Sequence, residues 1–261
     1  MKLSEAQLNI IDTIDGNVGV IASAGSGKTT VLTKRIENMV NNHSINPSSI
    51  LAVTFSKKAK ENIQNKLIDL KVFGVNIETF HSLALKIIAK KYGQNYFKIW
   101  TVQWEKEKVM KDICCNRMGL CSPDDLPYNK IMSFISNQKN AMLNPTDTLI
   151  YTDDDPFKYE KMKEIYMSFE KYKSENNYLE FDDFLNLANR VLDTDEDTSK
   201  YYTKCFEYVL SDEFQDISKS QSLLLKKLNT ENTMIVGDPL QAIYSFRGGN
   251  SKYILDFEKD Y

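Results

Sequence analysis

Residues 21–30 read IASAGSGKTT, an order that suits a phosphate cradle. Such a loop turns successive backbone N–H groups inward around an anion at a helix N-terminus, where the peptide dipoles favour negative charge. Gly25 and Gly27 hold the two inner positions, at which the backbone must turn sharply or come close to the ligand. Lys28 can reach the β- and γ-phosphates of a nucleoside triphosphate, and the Thr29 hydroxyl suits Mg2+. The usual pattern begins with glycine, and Ala22 stands there instead. Ala22 lies at the outer end, where the chain is only leaving its strand, so a methyl group can be accommodated. The expected nucleotide-binding run is Ala22, Ser23, Ala24, Gly25, Ser26, Gly27, Lys28, Thr29 and Thr30.

A site of this kind also needs a carboxylate on a neighbouring strand to hold Mg2+ and a group to orient the attacking water. Residues 208–216 read YVLSDEFQD, an apolar strand ending in an acidic pair. Asp212 is placed to hold the metal and Glu213 to polarise water. Residues 235–249, IVGDPLQAIYSFRGG, carry a third set of polar groups past a strand end, with Gln241 as the expected γ-phosphate sensor. Tyr244, Phe246 and Arg247 follow. Two aromatics and a cation so close together suit base stacking with a phosphate contact, although for the two aromatics taken alone ordinary packing is the better account. Thr54-Phe55-Ser56-Lys57-Lys58 and Thr79-Phe80-His81-Ser82 each offer a hydroxyl, an aromatic and a polar or basic group after a strand. Together these stretches give three strand ends the chemistry of a track for a single strand of nucleic acid.

The elements that must position these residues alternate like an α/β domain. Strands are expected at 17–22, 50–54 and 75–78, with helices at 27–40, 57–70 and 80–89. The rhythm then stops. Residues 92–179 carry helical patterns at 105–115, 127–138 and 156–175, separated by prolines and acidic clusters, with no convincing buried strand. It returns with a helix at 181–192, a strand at 208–210, a helix at 218–228 and a strand at 233–236. The expected organisation is an α/β part over 1–91, a helical insertion over 92–179, and the rest of the α/β part over 180–261.

Of the 261 residues, 42% are hydrophobic and 26% charged, as in an ordinary globular protein. No apolar run reaches the ~18–20 residues of a membrane span and no secretory leader opens the chain, so a cytoplasmic protein without membrane contact is expected. Cys114, Cys115, Cys121 and Cys205 lack metal-ligand spacing and are expected as reduced structural thiols. The net charge is −3, so any nucleic-acid contact must come from a local patch. Basic charge is almost all lysine; the arginines are Arg35, Arg117, Arg190 and Arg247.

The ordered set of motifs resembles the N-terminal half of UvrD/Rep/PcrA-type superfamily 1 DNA helicases. It runs from LSEAQ (residues 3–7) through ASAGSGKT, VTFSKKA, ETFHS, EFDDFL (180–185) and SDEFQD to VGDPLQAIYSFRGG. Alanine is accepted at the first P-loop position in that family. The resemblance implies a P-loop, RecA-like parallel sheet with an all-helical inserted subdomain. It gives Gln7 to adenine, Lys28 and Thr29 to phosphate and metal, Asp212 to Mg2+, Glu213 to water activation and Gln241 to the γ-phosphate. It puts Thr54, Phe55, Phe80, His81, Tyr244, Phe246 and Arg247 on positions that touch or flank single-stranded DNA, with Arg247 linking DNA to the nucleotide site. Three departures stand out. Pro239-Leu240 replaces an acidic pair, Phe246 stands where tryptophan is common, and Ile217-Ser218 replaces Thr-Asn.

The resemblance further implies ATP-driven movement on DNA, 3′ to 5′, and a second RecA-like domain that closes the cleft and supplies arginines to the γ-phosphate. Such an arginine contributes ~10³–10⁵ in rate. That domain is expected in a longer version of the chain or from a partner chain. An alternative is an ATP-gated nucleic-acid-binding module of a repair or defence assembly that never unwinds. A small-molecule P-loop kinase finds no support, since nothing here resembles an arginine-bearing lid.

Overall fold

A computed structural model describes residues 3–23, 25–228, 230–241 and 252–260. The first part runs α1 (Glu5–Asp12), β1 (Val18–Ile21), α2 (Lys28–Asn41), β2 (Ile50–Thr54), α3 (Lys57–Asp69), β3 (Asn76–Thr79) and α4 (Phe80–Tyr92). Then come β4 (Lys98–Ile99), α5 (Gln103–Lys111), α6 (Tyr128–Asn140), α7 (Tyr159–Glu175) and β5 (Tyr178–Leu179). The last part is α8 (Phe181–Thr194), α9 (Glu196–Cys205), β6 (Tyr208–Ser211), α10 (Lys219–Leu228), β7 (Asn232–Gly237), α11 (Lys252–Leu255) and α12 (Phe257–Asp260).

Five strands form one parallel sheet in the order β1-β7-β6-β2-β3. Both faces are covered, which is why the strands read as apolar runs. Alternate residues of each strand feed opposite layers. Leu51, Val53, Val209 and Ile235 join α4, α8 and α10 on one side. Ile50, Ala52, Leu210, Met234 and Val236 join α1, α2 and α3 on the other. Because β6 and β7 return between β1 and β2, the loops after β1, β6 and β7 come together at one edge.

Trp100, Met110, Ile113, Phe134, Ile165 and Phe169 build a third cluster of their own from α5, α6, α7 and the turns between them. Two features there differ from the sequence expectation. The helix of α5 continues as a π-helical turn over Asp112–Arg117. Residues 92–179 also contribute a two-residue parallel pair, β4 with β5; β4 is exposed and β5 only partly buried, and strands so short give no buried apolar run to detect. Helix α9 was not expected either, because its EDTSKYYTKC sequence buries only Thr198 and Tyr202. No helix among the described residues is long and apolar enough to cross a membrane.

The third cluster meets the sheet layers through buried charge. Lys139 of α6 lies 2.9 Å from Glu170, 3.0 Å from Glu180 and 2.8 Å from Asp183. Lys173 of α7 contacts the same three carboxylates at 2.8, 3.4 and 2.6 Å, and Lys106 of α5 reaches Glu180 at 2.7 Å. Glu170, Glu180 and Asp183 are close enough to hold a metal ion, but the lysine ammoniums already supply the positive charge. Burial alone would raise the Asp183 carboxyl, yet Lys139 and Lys173 outweigh it and hold it down at about 2.

Lys139→Ala should cost ~3–5 kcal/mol in urea unfolding, since it leaves buried carboxylates short of a counter-charge. A depressed carboxylate stabilises the fold above its unfolded value of about 4 and loses that contribution as pH falls toward 2. The wild-type unfolding midpoint should therefore fall more steeply than that of Lys139→Ala on acidification below about pH 4.

Candidate nucleotide site and adjoining cleft

The P-loop leaves β1 with Ala22 still in register, its N–H donating to Gly237 O at 3.0 Å. Gly25 and Gly27 have φ of 73° and 83°, a left-handed conformation that L side chains rarely adopt. Gly27 is the N-cap of α2, and no side chain caps that helix. Helices α1, α3 and α4, by contrast, are capped by Ser4, Ser56 and Thr79. The first N–H groups of α2 are thus left for an anion. Ser26 Oγ is buried with no partner among the described residues. Ser23 is exposed, and Thr30 accepts a hydrogen bond from Lys66 of α3 at 3.2 Å. Gln7 donates to Ser26 O at 2.8 Å while its carbonyl accepts from Ser4 N at 2.8 Å. Beside it an open cleft of about 540 Å³ is lined by Leu3, Ile10, Ile21, Ala22, Lys28 and Val31. Ile21 is 64% exposed there, an uncovered apolar wall suited to a base.

The acidic pair comes to the same place from β6. Asp212 is buried; its Oδ2 accepts from Thr29 Oγ1 at 3.0 Å and its Oδ1 from Glu213 N at 3.0 Å. Burial, and next the neighbouring Glu213 charge, push the Asp212 carboxyl above its ordinary value. A hydroxyl and a carboxylate side by side form a hard-oxygen donor pair of the kind Mg2+ takes alongside phosphate and water. A dication there would offset the cost of Asp212's buried charge, so these residues fit the metal.

Glu213 has a φ of 52°, a left-handed conformation that costs an L residue roughly 1–2 kcal/mol. Its Oε2 lies 3.3 Å from Lys28 Nζ and accepts from Gln215 Nε2 at 2.9 Å. The lysine and the glutamate of the two motifs are therefore paired with each other. Gln241, in the turn after β7, donates to Asp238 Oδ2, and Asp238 Oδ1 accepts from Leu240 N at 3.1 Å.

A second cleft, of about 560 Å³, opens at the ends of β2 and β3, where Phe55, Lys57 and His81 face Ser136 and Asn140 of α6 and Phe181 of α8. Phe181 is 54% exposed, and its ring meets His81 edge-on at 6.4 Å and Phe184 at 5.4 Å. Burial lowers the His81 pKa, which favours neutral imidazole at physiological pH. Two of the residues expected to touch or flank DNA are fully buried. Phe80 is completely buried among Leu83, Ala84 and Ile87, because the first residue of α4 lies on the helix face that packs on the sheet. Thr54 is also completely buried, as are all residues of β2. Neither is among the residues that line the cleft. Ala24, Tyr244, Phe246 and Arg247 lie outside the described residues.

Two residues of the motifs were not singled out from the sequence. Phe181 is the exposed aromatic of EFDDFL; the signal is a phenylalanine three residues before Phe184 on a helix whose apolar face is already complete. Gln215 is the buried amide of DEFQD, and nothing in its spacing announces its partners.

Comparison with known proteins identifies the family. Residues 3–261 match the family described as UvrD/REP helicase N-terminal domain. The chain is 34% identical to YjcD of Bacillus subtilis over 99% of its own length. It is 32% identical over 99% of its length to the ATP-dependent DNA helicase PcrA of Staphylococcus aureus, and likewise to PcrA of Leuconostoc citreum. These matches cover 35%, 36% and 35% of the relatives, so the chain spans about a third of their length. With the parallel sheet flanked by helices and a P-loop at its edge, the chain belongs to the UvrD/REP helicase N-terminal domain family.

Proposed function

We propose that this chain is the first motor domain of a UvrD-like ATP-dependent DNA helicase or translocase. In this reading ATP and Mg2+ occupy the P-loop cleft and single-stranded DNA occupies the cleft beside it. The observation that carries it is the 3.0 Å contact between Thr29 and Asp212, which joins the uncapped start of α2 to the acidic strand end within one sheet edge of Phe55, His81 and Phe181. Residues 92–179 act as an inserted subdomain whose α6 overhangs the DNA cleft, between α/β parts at 1–91 and 180–261. The relatives' names support DNA as the substrate, and the 3′-to-5′ direction rests on the resemblance alone. A cytoplasmic location fits this activity.

Each residue's work follows from its place. Gln7 reads the adenine edge beside Ile21. Lys28 leaves Glu213 for the β/γ-phosphate oxygens, and the freed Glu213 carboxylate accepts a proton from the water that attacks the γ-phosphorus, as the bond from that phosphorus to the β–γ bridging oxygen breaks and ADP leaves with phosphate as the second product. Thr29 and Asp212 would hold Mg2+, which would supply positive charge against the phosphates. Gln241 moves from Asp238 to the γ-phosphate. Tyr244, Phe246 and Arg247 would extend the DNA track.

No arginine is among the described residues that line the nucleotide cleft, so in this reading the opposite wall comes from elsewhere. Arg35 is buried and donates to Ile14 O, while Arg117 is paired with Asp112. A second RecA-like domain, in cis or from a partner chain, supplies the missing cations in this reading.

Lys28→Ala should abolish binding of ATP with Mg2+ while leaving the melting temperature near wild type; equal affinities by calorimetry would remove the P-loop assignment. Phe55→Ala and Phe181→Ala should each weaken oligonucleotide binding by ~1–3 kcal/mol, with little dependence on base sequence. Unchanged anisotropy titrations for both would make them packing residues. Finally, the 261-residue chain should hydrolyse ATP very slowly with or without DNA, because water instead of fixed cations meets the charge developing on the γ-phosphoryl group. Adding the second motor domain should restore DNA-stimulated turnover. Stimulation without strand separation would favour the ATP-gated binding module, and robust turnover by the chain alone would refute the missing wall.

A further inference from the structure

Between the two clefts lies a side chain that belongs to neither. Gln215 is 2% exposed and sits in the turn Phe214–Asp216 that follows Glu213. Its Nε2 donates to Glu213 Oε2 at 2.9 Å and to Asp216 Oδ2 at 3.0 Å, and its Oε1 accepts from Asp238 N at 2.9 Å. Both N–H donors and the carbonyl are therefore in use. The amide has one possible orientation, because a flip would turn its carbonyl toward two carboxylates and its NH2 toward the Asp238 N–H. The backbone beside it is cleared for the purpose: a Cβ on Gly237, the last residue of β7, would come within 2.5 Å of Gln215 Oε1.

The three partners lead to different places. Glu213 is paired with Lys28 in the nucleotide cleft. Asp216 lines the cleft of Phe55, His81 and Phe181. Asp238 carries Gln241 on its carboxylate. Only a carboxamide of this length offers two donors to two carboxylates and an acceptor to a backbone N–H at once; a lysine would leave the Asp238 N–H unmatched, and a leucine would leave all three groups so.

We propose that Gln215 is a positioning residue that couples the two clefts, passing displacement of Asp216 by a bound strand to Glu213 and to the turn bearing Gln241. This rests on the reading of one cleft as a nucleotide site and the other as a single-strand site. When a strand shifts Asp216, the amide follows it, and the hydrogen bond that helps hold Glu213 Oε2 against Lys28 is strained or lost. By linkage the effect is reciprocal, so nucleotide must alter strand affinity by the same factor.

The test is a ratio, in which any uniform loss of affinity cancels. The affinity of a fluorescein-labelled oligo-dT is measured by anisotropy with and without saturating AMP-PNP and Mg2+, for wild type, Gln215→Leu and Gln215→Met. The methionine variant keeps the unbranched length of the side chain while removing both donors and the acceptor, so it remains informative if the branched leucine does not fold. Wild type should show a change of about fivefold or more, and the folded variants, matched to wild type by thermal melting, a ratio near one. A wild-type ratio retained in the variants overturns the proposal, as does a ratio of one in a wild type that binds both ligands. A wild type that fails to bind one of the ligands overturns the functional reading beneath it, and the proposal with it.

Discussion

The hydrogen bond from Thr29 to Asp212 spans the intervening strand β7 and ties the start of α2 to the end of β6. It is possible only because every strand of the sheet runs the same way, so that the loops after β1, β6 and β7 share one edge. The apolar layers on both faces exist to hold that edge level. Side chains of β2, β6 and β7 alternate between the two layers, and a one-residue slip would send each of them to the wrong side. Burying Asp212 there costs free energy, as its raised pKa shows. The same burial places its charge in a low-dielectric setting where a cation would be held strongly.

Two strained or exposed features at this edge make sense in that light. Glu213 keeps a left-handed backbone, which directs its carboxylate back toward Lys28 and away from the continuing chain. Helix α2 begins without a side-chain cap, although serine or threonine caps the neighbouring helices α1, α3 and α4. An open N-terminus and a constrained acid are both unfavourable for folding, and they are tolerated where the surrounding sheet is most completely packed.

The junction between the helical segment and the sheet layers uses the opposite strategy. Its core contact is an interleaved set of lysines and carboxylates, with Lys139 and Lys173 nearly excluded from water. Apolar groups would pack there in several registers, whereas three carboxylates shared between two ammoniums accept few. The arrangement sets α6 so that Ser136 and Asn140 face Phe55 and His81 across the second cleft. Position of the cleft wall and stability of the joint are thus properties of the same buried groups.

Much of this is legible in the amino-acid sequence. The P-loop, the acidic pair and most strand and helix positions follow from local rules: glycine where φ must be positive, an apolar run where both sheet faces are covered, a 3.6-residue period where one helix face is. These signals survive because each is carried by residues close together in the chain. Helix α9 and the β4–β5 pair escape for the same reason, since neither buries enough apolar surface to leave a pattern. What only the tertiary structure decides is which of the motif residues can be reached and which are joined. Phe80 and Phe55 each follow a threonine at a strand end, yet one is sealed in the core and the other opens on a cleft. Lys139 and Glu180 lie 41 positions apart, and Gln215 and Asp238 lie 23 apart; no local periodicity links either pair. Burial and long-range pairing depend on how the strands are ordered in the sheet, and residue spacing along the chain does not encode that order.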